Sequence, residues 1–419
     1  MEMKVRSVHI RRLIYVHILA AMLFVFLFGE LNFPWSIFYL LDLFLIPEAI
    51  FAFLTYRKQN RHRVLNSVLL YLLLLGFLML CSSLLGGVSI RNTILSFRRV
   101  FRFFAFFLIC AIVLEPEDLG RILKTLDVLF VINIGFCLVQ FFFRGKYGDH
   151  LGGIFGTEVG SNVYSNIFLC VICLYHQCRY MCGRDSIRKL LLYMGISLVL
   201  AAMMELKVFF SEITVIVAAV ILFFKPTRRT IKILLGSVAA FLLGVFLFVR
   251  LFPEQVNLLF NWRDIIEYST RENWGYHIGR LSAVRDINRI FFHDDPALLL
   301  FGYGFGNCEE GTEFFRIYGG YHYTWFTHQV MILETGILGL LAYCGYYAVM
   351  LADIRKRERR NHLKREYAVF ASVLCLLCFI WIIYNQALRM EIAYLVFALL
   401  AVPYIMIGRD RPSEKRDGR

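Results

Sequence analysis

The sequence predicts an all-α polytopic membrane protein with about 12 transmembrane helices. Hydrophobic residues make up 59% of the 419 residues, charged residues make up 18%, and the mean hydropathy is +0.63. A soluble domain carries roughly a quarter charged residues, so this chain lacks the polar surface that water requires. Apolar stretches of membrane-spanning length also recur from end to end, separated by short basic segments. The composition therefore excludes a soluble globular protein.

The spans follow from the length of each apolar stretch, because a helix needs about 20 mostly apolar residues to cross a bilayer. The predicted spans are 13–29, 33–56, 64–85, 98–114, 125–143, 162–180, 190–204, 208–224, 231–252, 327–351, 367–385 and 390–408. The first follows a basic start, and no small-residue cleavage site comes after it, so we interpret it as a retained span. Residues 1–252 therefore hold about nine spans and residues 327–408 about three, followed by a cytoplasmic basic tail at 409–419.

The distribution of basic residues predicts the orientation of the chain. The net charge is +14, and about two thirds of all Lys and Arg lie at the two ends and in alternate segments between spans. Short basic segments of this kind mark the cytoplasmic side of a membrane protein. We therefore predict a multi-pass protein of the cytoplasmic (inner) membrane with both termini in the cytoplasm, and no nucleic-acid partner.

One connection, residues 253–326, is far longer than the others and is called the long loop below. It is too polar to span a membrane and too aromatic to be disordered, and loops of this length are usually functional. Within it, Leu281, Val284, Ile287 and Phe291 recur at helical spacing, and the motif HDDP ends that helix. We predict an extracytoplasmic loop with short helices, whose aromatic side chains either stack on sugar rings or anchor the loop at the membrane interface.

The end of the long loop and the start of the next span carry the first candidate residues for ligand binding. Gly302, Gly304 and Gly306 allow the backbone to turn tightly or to approach a ligand closely. His328 opens the following span and Glu334 lies within it; a histidine at the membrane edge can act as a general base at neutral pH. The alternative interpretation is an interfacial histidine with glycines that serve only helix packing.

Cations on the predicted outer side form the second group. Arg280 in the long loop can grip a phosphate with two hydrogen bonds. Lys207, in the tight turn between the seventh and eighth spans, is either a second phosphate contact or a snorkelling membrane anchor. Arg285 and Arg289 follow Arg280 at helical spacing, and we interpret them as solvated or headgroup-facing side chains.

Charged residues in two of the early spans form the third group. Arg98, Arg99 and Arg102 crowd the outer start of the fourth span, where few cations are expected. An anionic ligand there explains them, and so does a misplaced span boundary. Asp42 and Glu48 in the second span indicate either a proton path or, as we favour, a kink held by polar contacts.

Two apparent metal motifs have simpler explanations. The cysteines and the histidine at 170–182 lie mostly on an apolar helix, where zinc ligands are uncommon;. The motif HDD at 293–295 suits the polar turn before a proline better than it suits a divalent cation site. We predict neither a metal ion nor another cofactor.

A family resemblance is carried by three stretches: GIFGTEVGSNVYSNIFL (153–169), GRLSAVRDINRIFFHDDPALLLFGYGFGN (279–307) and THQVMILETGILGLL (327–341). Together they resemble the O-antigen ligase and Wzy-type polymerase family, over about the C-terminal two thirds of the chain. The resemblance implies a GT-C-like membrane glycosyltransferase that works without a metal ion. It also implies an undecaprenyl-pyrophosphate-linked oligosaccharide as the donor, bound at the outer face of the inner membrane.

The resemblance also implies roles for individual residues. Arg280 matches the loop arginine that contacts the donor pyrophosphate, and His328 matches the catalytic histidine that activates the acceptor hydroxyl. Lys207 stands where the family usually has an arginine, which keeps the charge and loses the bidentate fork. The family histidine commonly stands further ahead of the Glu-x-Gly pattern and is followed by asparagine, whereas Gln329 follows here. We therefore prefer His328 and keep His322 as the alternative.

The function that the resemblance implies is a polymerase of lipid-linked oligosaccharide repeat units, which builds a cell-surface polysaccharide. A ligase that transfers the finished glycan to a lipid or other envelope acceptor uses the same donor and remains open. A transporter or flippase for polysaccharide precursors also fits about twelve spans, but charge at one face rather than the midplane argues against it. The implied partners are the donor, a glycan or lipid acceptor, membrane lipids, a chain-length regulator and a flippase.

Overall fold

The computed structural model describes residues 2–34, 38–58, 62–224, 227–253, 261–270 and 277–407, which form helices and no strands. The helices described before the long loop are α1 (Glu2–Gly29), α2 (Phe38–Lys58), α3 (His62–Leu85), α4 (Ile90–Val113), α5 (Pro116–Arg144), α6 (Ser161–Met181), α7 (Ile187–Met203), α8 (Lys207–Phe223) and α9 (Arg228–Leu251). The long loop contains α10 (Trp262–Thr270), α11 (Ala283–Ile287), α12 (Pro296–Phe301) and α13 (Glu313–Tyr318). After it come α14 (Thr327–Arg359), α15 (Arg365–Tyr384), α16 (Ala393–Leu400) and α17 (Val402–Met406). The predicted tail at 409–419 lies outside the described residues.

Helix length and composition make the chain a helical membrane protein. Among the described helices, α1, α2, α3, α5, α9, α14 and α15 are long and apolar enough to cross a membrane, seven in all. The other five predicted spans coincide with α4, α6, α7, α8 and the pair α16–α17, which do not reach the same combination of length and apolar character. For example, α7 and α8 have 17 residues each. The total of twelve spans therefore stays a prediction.

The most deeply buried of the seven long helices is α15, with 67% of its most apolar window buried. It packs against α14, α8 and α6. Glu212 of α8 accepts hydrogen bonds from Trp381 Nε1 of α15 and from Asn166 Nδ2 of α6, both at 2.8 Å. Because a buried carboxyl group is costly unless it is hydrogen-bonded, this contact fixes α6, α8 and α15 relative to one another.

The long loop is attached to the bundle at a kink in α14. Gly336 has a φ of +63° within this helix, a left-handed conformation that favours glycine, and a Cβ there would overlap the backbone of α12. The loop backbone binds two carbonyl groups just before the kink: Tyr303 N donates to Leu333 O and Gly304 N donates to Glu334 O, both at 2.8 Å. The loop thereby completes the hydrogen bonding of the interrupted helix.

The helix predicted early in the long loop forms as α11, which continues into a π-helical turn at Asn288–Phe292. Ile287 and Phe291 are buried, whereas Leu281 and Val284 are 67% and 44% exposed. Leu281 precedes α11, so the helical segment contains only the last three of the four residues at helical spacing. The π turn contains an extra residue and changes the angular phase of the side chains.

Candidate functional site

Arg280 lies in a cage of three aromatic rings. Its guanidinium carbon is 5.3 Å from the ring centroid of Tyr268 in α10, 5.0 Å from that of Phe326 and 4.5 Å from that of Tyr384 at the end of α15. Aromatic faces attract a cation through their quadrupoles, but they do not neutralise it. Within the described residues, no carboxylate pairs with Arg280, and its buried Nε atom has no hydrogen-bond partner. The charge of Arg280 therefore remains available to an anion.

Lys207 approaches the same cage from α8. Its Nζ atom lies 5.2 Å from the ring centroid of Tyr268 and 3.0 Å from Glu205 Oε1. Lys207 is the first residue of α8, so the partial positive charge of the helix N-terminus adds to its own charge. The structure thus brings together two cations that are far apart in the chain. Arg280, Lys207, Tyr268, Phe326 and Tyr384 are called the cation site below.

Two side chains in the first turn of α14, those of His328 and Gln329, bind the backbone of residues 278–280 beside the cation site. His328 is 5% exposed, its Nε2 lies 3.0 Å from Arg280 O, and its Nδ1 lies 3.2 Å from Ile382 O. Gln329 Nε2 donates to the carbonyls of the two residues before Arg280, both at 3.2 Å. Because both ring nitrogens of His328 face carbonyl oxygens, this geometry suits a residue that positions Arg280. Proton transfer by His328 stays a prediction.

His322 has a different environment. It adopts a left-handed conformation with φ of +55°. Its ring contacts those of His277 and Trp325, with centroid distances of 4.8 Å and 4.2 Å, and these two rings lie 5.9 Å from each other. The side chain is partly exposed, and its imidazole makes no hydrogen bond within the described part of the chain. A ring nitrogen with an available lone pair can accept a proton from a hydroxyl group. Of these two histidines, the geometry therefore favours His322 as the general base.

The three arginines of α4 pair with carboxylates of the protein itself. The pairs are Arg98–Asp42, Arg99–Glu309 and Arg102–Glu391. Helix α4 also begins at Ile90, earlier than the predicted span, so the arginines lie within the helix rather than at its start. The helix therefore begins eight residues before the predicted span, and the carboxylates compensate these cations within the protein. Substrate binding by Arg98 and Arg99 stays a prediction.

Glu309 is shared between two arginines. Besides Arg99 it pairs with Arg389, which lies between α15 and α16, and the side chains of Glu309 and Arg389 are each 7% exposed. Burial opposes the ionisation of Glu309, but Arg389 and Arg99 outweigh it and hold the pKa of Glu309 below its usual value;. The sequence analysis did not identify Glu309 or Arg389 as candidates. The feature that could have identified this region is the presence of two charged residues, Arg389 and Glu391, between the last two predicted spans.

Gly304, Gly306 and Glu334 hold the long loop against the bundle. Glu334 is fully buried, and its Oε1 accepts a hydrogen bond from Cys308 N at 3.1 Å. A Cβ at Gly304 would lie 2.9 Å from the Cα of Gly86, which directly follows α3, and one at Gly306 would lie 3.0 Å from a backbone oxygen of α4. The glycines thus permit close packing between loop and helices. Contact of these three residues with a glycan stays a prediction.

The two apparent metal motifs make contacts within the protein. The described residues contain no group of three or more His, Cys, Asp and Glu side chains that could hold a metal ion. His176 instead places Nδ1 2.8 Å from Asp185 and Nε2 3.0 Å from Asp127. Asp294, with φ of +62°, belongs to the turn before α12, and Asp295 caps that helix.

Neither the models of known protein families nor the curated proteins contain a match to this chain. The interpretation of the site consequently depends on its own geometry and on the resemblance of the three stretches quoted above. In the cation site, two cations, Arg280 and Lys207, approach one ring, and one described carboxylate, that of Glu205, pairs with Lys207.

Proposed function

We propose that the protein is a metal-independent membrane glycosyltransferase that polymerises undecaprenyl-pyrophosphate-linked oligosaccharide repeat units on the outer face of the cytoplasmic membrane. The cation site and the family resemblance support this proposal. Under it, the fold is GT-C-like with about twelve spans, both termini lie in the cytoplasm, and the long loop is extracytoplasmic.

One observation carries the proposal: Arg280 and Lys207 converge on the ring of Tyr268 while Arg280 lacks an acidic partner in the described residues. A pyrophosphate offers several charged oxygens, which an arginine binds bidentately and a lysine binds as a point charge. The aromatic rings around Arg280 leave it half-buried, and a lower local dielectric strengthens the attraction between the cations and the phosphates.

The same residues account for the chemistry of transfer. The acceptor hydroxyl oxygen attacks the anomeric carbon of the donor, the bond from that carbon to the phosphate oxygen breaks, and the pyrophosphate leaves with the bonding electrons. Arg280 and Lys207 stabilise the negative charge that develops on the leaving group. His322 accepts the hydroxyl proton, and His328 positions Arg280 through its backbone carbonyl.

A chain-length assay tests the proposal. The purified protein in lipid nanodiscs is incubated with an undecaprenyl-pyrophosphate-linked repeat unit isolated from the source cells, and the products are separated by size. We expect a ladder of multiples from the unmodified protein and none from Arg280→Ala. Arg289→Ala is the matched control, because Arg289 is exposed and lies outside the cation site, and it should give the normal ladder. A normal ladder from Arg280→Ala contradicts the proposed role of the cation site.

The same assay distinguishes a polymerase from a ligase. A single transfer that occurs only when a lipid acceptor is added would identify an O-antigen ligase that uses the same donor site. In that case Arg280→Ala should still abolish the transfer, because both reactions release the same pyrophosphate. The absence of any product from the unmodified protein, with and without a lipid acceptor, contradicts glycosyl transfer altogether.

One observation favours a second function, that of a transporter or flippase for polysaccharide precursors. His17 of α1 and Glu48 of α2 are both fully buried, with Nδ1 3.1 Å from Oε2. Ionisable pairs inside membrane-spanning helices commonly mark ion or proton pathways. Under this alternative, the unmodified protein moves a lipid-linked repeat unit across a vesicle bilayer, Glu48→Gln stops that movement, and no ladder forms.

A further inference from the structure

The aromatic side chains of the long loop fall into two groups. Most belong to a small core of buried and partly buried residues: Phe291, Phe292, Tyr303, Phe314, Phe315, Tyr318, Tyr321 and Tyr323. Among the described aromatic residues of the loop, Phe301 and Trp325 stand out, being 57% and 45% exposed. Phe301 borders an apolar cavity of about 670 Å³ between α3, α12 and α14. Trp325 directly precedes Phe326, a member of the cation site.

Trp325 is fixed by its neighbours before any ligand binds. The rings of His277, His322 and Trp325 form a cluster in which each ring contacts the other two, with interplanar angles of 15° for His277–His322, 29° for His322–Trp325 and 37° for His277–Trp325. The turn that contains Trp325 is anchored by Tyr323, whose hydroxyl donates to Cys308 O at 2.7 Å. A rigid aromatic surface binds a flat partner at a low cost in conformational entropy.

We propose that Trp325 is the platform on which a sugar ring of the lipid-linked glycan stacks. This inference rests on the proposed function and adds to it a contact for the glycan itself. The first sugar is bonded directly to the pyrophosphate, and the ring of Trp325 lies 4.2 Å from that of His322, which accepts the proton of the acceptor hydroxyl under the proposed function, so the sugars at the reacting centre lie beside this indole ring. The C–H groups of a sugar ring carry partial positive charge and are attracted by the negative face of an aromatic ring.

The contact between Trp325 and the glycan can be distinguished from pyrophosphate binding by comparing two lipids that differ only in the glycan. Their affinities for the full-length protein in nanodiscs are measured with the lipid-linked repeat unit and with undecaprenyl pyrophosphate. We expect Trp325→Ala to weaken binding of the lipid-linked repeat roughly tenfold, the scale set by the lost apolar contact, and to leave binding of undecaprenyl pyrophosphate unchanged. Trp325→Phe should retain most of the affinity, because it keeps an aromatic face.

Two further variants complete the design. Phe301→Ala removes an aromatic ring of similar exposure away from the cation site and should bind both lipids normally. Arg280→Ala should weaken binding of both lipids, because each contains the pyrophosphate. An unchanged affinity of Arg280→Ala for both lipids contradicts the proposed function and the platform with it. If Arg280→Ala behaves as expected, a Trp325→Ala variant that weakens both lipids equally, or neither, contradicts the platform alone.

Discussion

Arg389 and Arg280 lie near the same end of α15, but their charges are stabilised in different ways. Arg389 is almost completely buried and pairs with Glu309, which also holds Arg99 of α4. Arg280 instead lies over three aromatic rings, with no carboxylate partner among the described residues. An ion pair neutralises an arginine within the protein, whereas aromatic faces stabilise the cation and leave its charge to be neutralised by a ligand.

This difference separates cations that hold the structure together from cations that remain candidates for binding a ligand. On charge alone, the arginines of α4 and Arg280 are equivalent candidates for binding an anion. An arginine that already has a buried carboxylate partner gains little from a second anion, because the cost of removing both charges from water is already offset. The buried acidic partner, rather than the cation, therefore distinguishes Arg389 from Arg280.

Replacement of Glu309 by glutamine should have the largest effect, and it acts on stability. Glu309→Gln leaves Arg389 buried without its partner, and breaking a buried ion pair typically costs about 3–5 kcal/mol. We expect a lower thermal unfolding temperature for the protein in detergent micelles. Glu310→Gln is the matched control, because Glu310 is the adjacent residue and is exposed. Equal unfolding temperatures for the two variants would mean that the ion pairs of Glu309 contribute little to stability.

The pH dependence of unfolding tests the same pair. Because the pKa of Glu309 is lower in the folded protein than its usual value of 4.5, its contribution to stability is fully present above that value. The contribution is lost as the pH falls through the lowered pKa of the folded state. We expect the unmodified protein to lose more stability than Glu309→Gln between pH 5 and strongly acidic pH, which thermal unfolding at several pH values can measure.

The two candidate histidines differ in the same way as the two arginines. Both ring nitrogens of His328 face carbonyl oxygens, whereas the imidazole of His322 makes no hydrogen bond within the described residues. His322→Gln should lower turnover roughly 100-fold, the usual scale for a lost general base, with an unchanged affinity for the donor. His328→Gln should weaken donor affinity, because it loosens the backbone at Arg280. Kinetics that show the reverse assignment would make His328 the base.

A conservative change at Arg280 should have a smaller effect. Arg280→Lys keeps the charge and the attraction to the rings but loses the fork that binds two phosphate oxygens. We expect a loss of donor affinity of roughly tenfold. Lys207→Arg is the complementary variant, since it adds a fork at the same site, and it should bind the donor at least as well as the unmodified protein. Equal affinity of Arg280→Lys and the unmodified protein would exclude bidentate binding.

The smallest effect is expected at Arg99. Its side chain is 32% exposed, and Glu309 keeps Arg389 as a partner after Arg99→Gln. Partly exposed ion pairs contribute about 1 kcal/mol or less, so thermal unfolding of this variant should lie close to that of the unmodified protein. A loss as large as that of Glu309→Gln would show that Arg99, rather than Arg389, dominates the network.

The sequence alone is sufficient to predict the helices but not the partners of the charged residues. The length of an apolar stretch is a local property, and the predicted spans therefore coincide with helices. The aromatic cage depends on Tyr384, and the ion-pair network depends on Arg389; both contacts join elements far apart in the chain. Periodicity and composition contain no information on such contacts. The resemblance implied that Arg280 and Lys207 both contact the donor, but it did not identify Tyr268, whose ring both cations approach.

The kink at Gly336 makes the formation of α14 depend on the folding of the long loop. A carbonyl group without a hydrogen-bond partner in the hydrocarbon region costs several kcal/mol, and two carbonyls before the kink are bound by Tyr303 N and Gly304 N. The long loop precedes α14 in the chain and therefore emerges first from the ribosome. As a result, α14 reaches its final shape in the bilayer only when the loop has folded back onto it. Folding of the long loop and completion of α14 are therefore coupled.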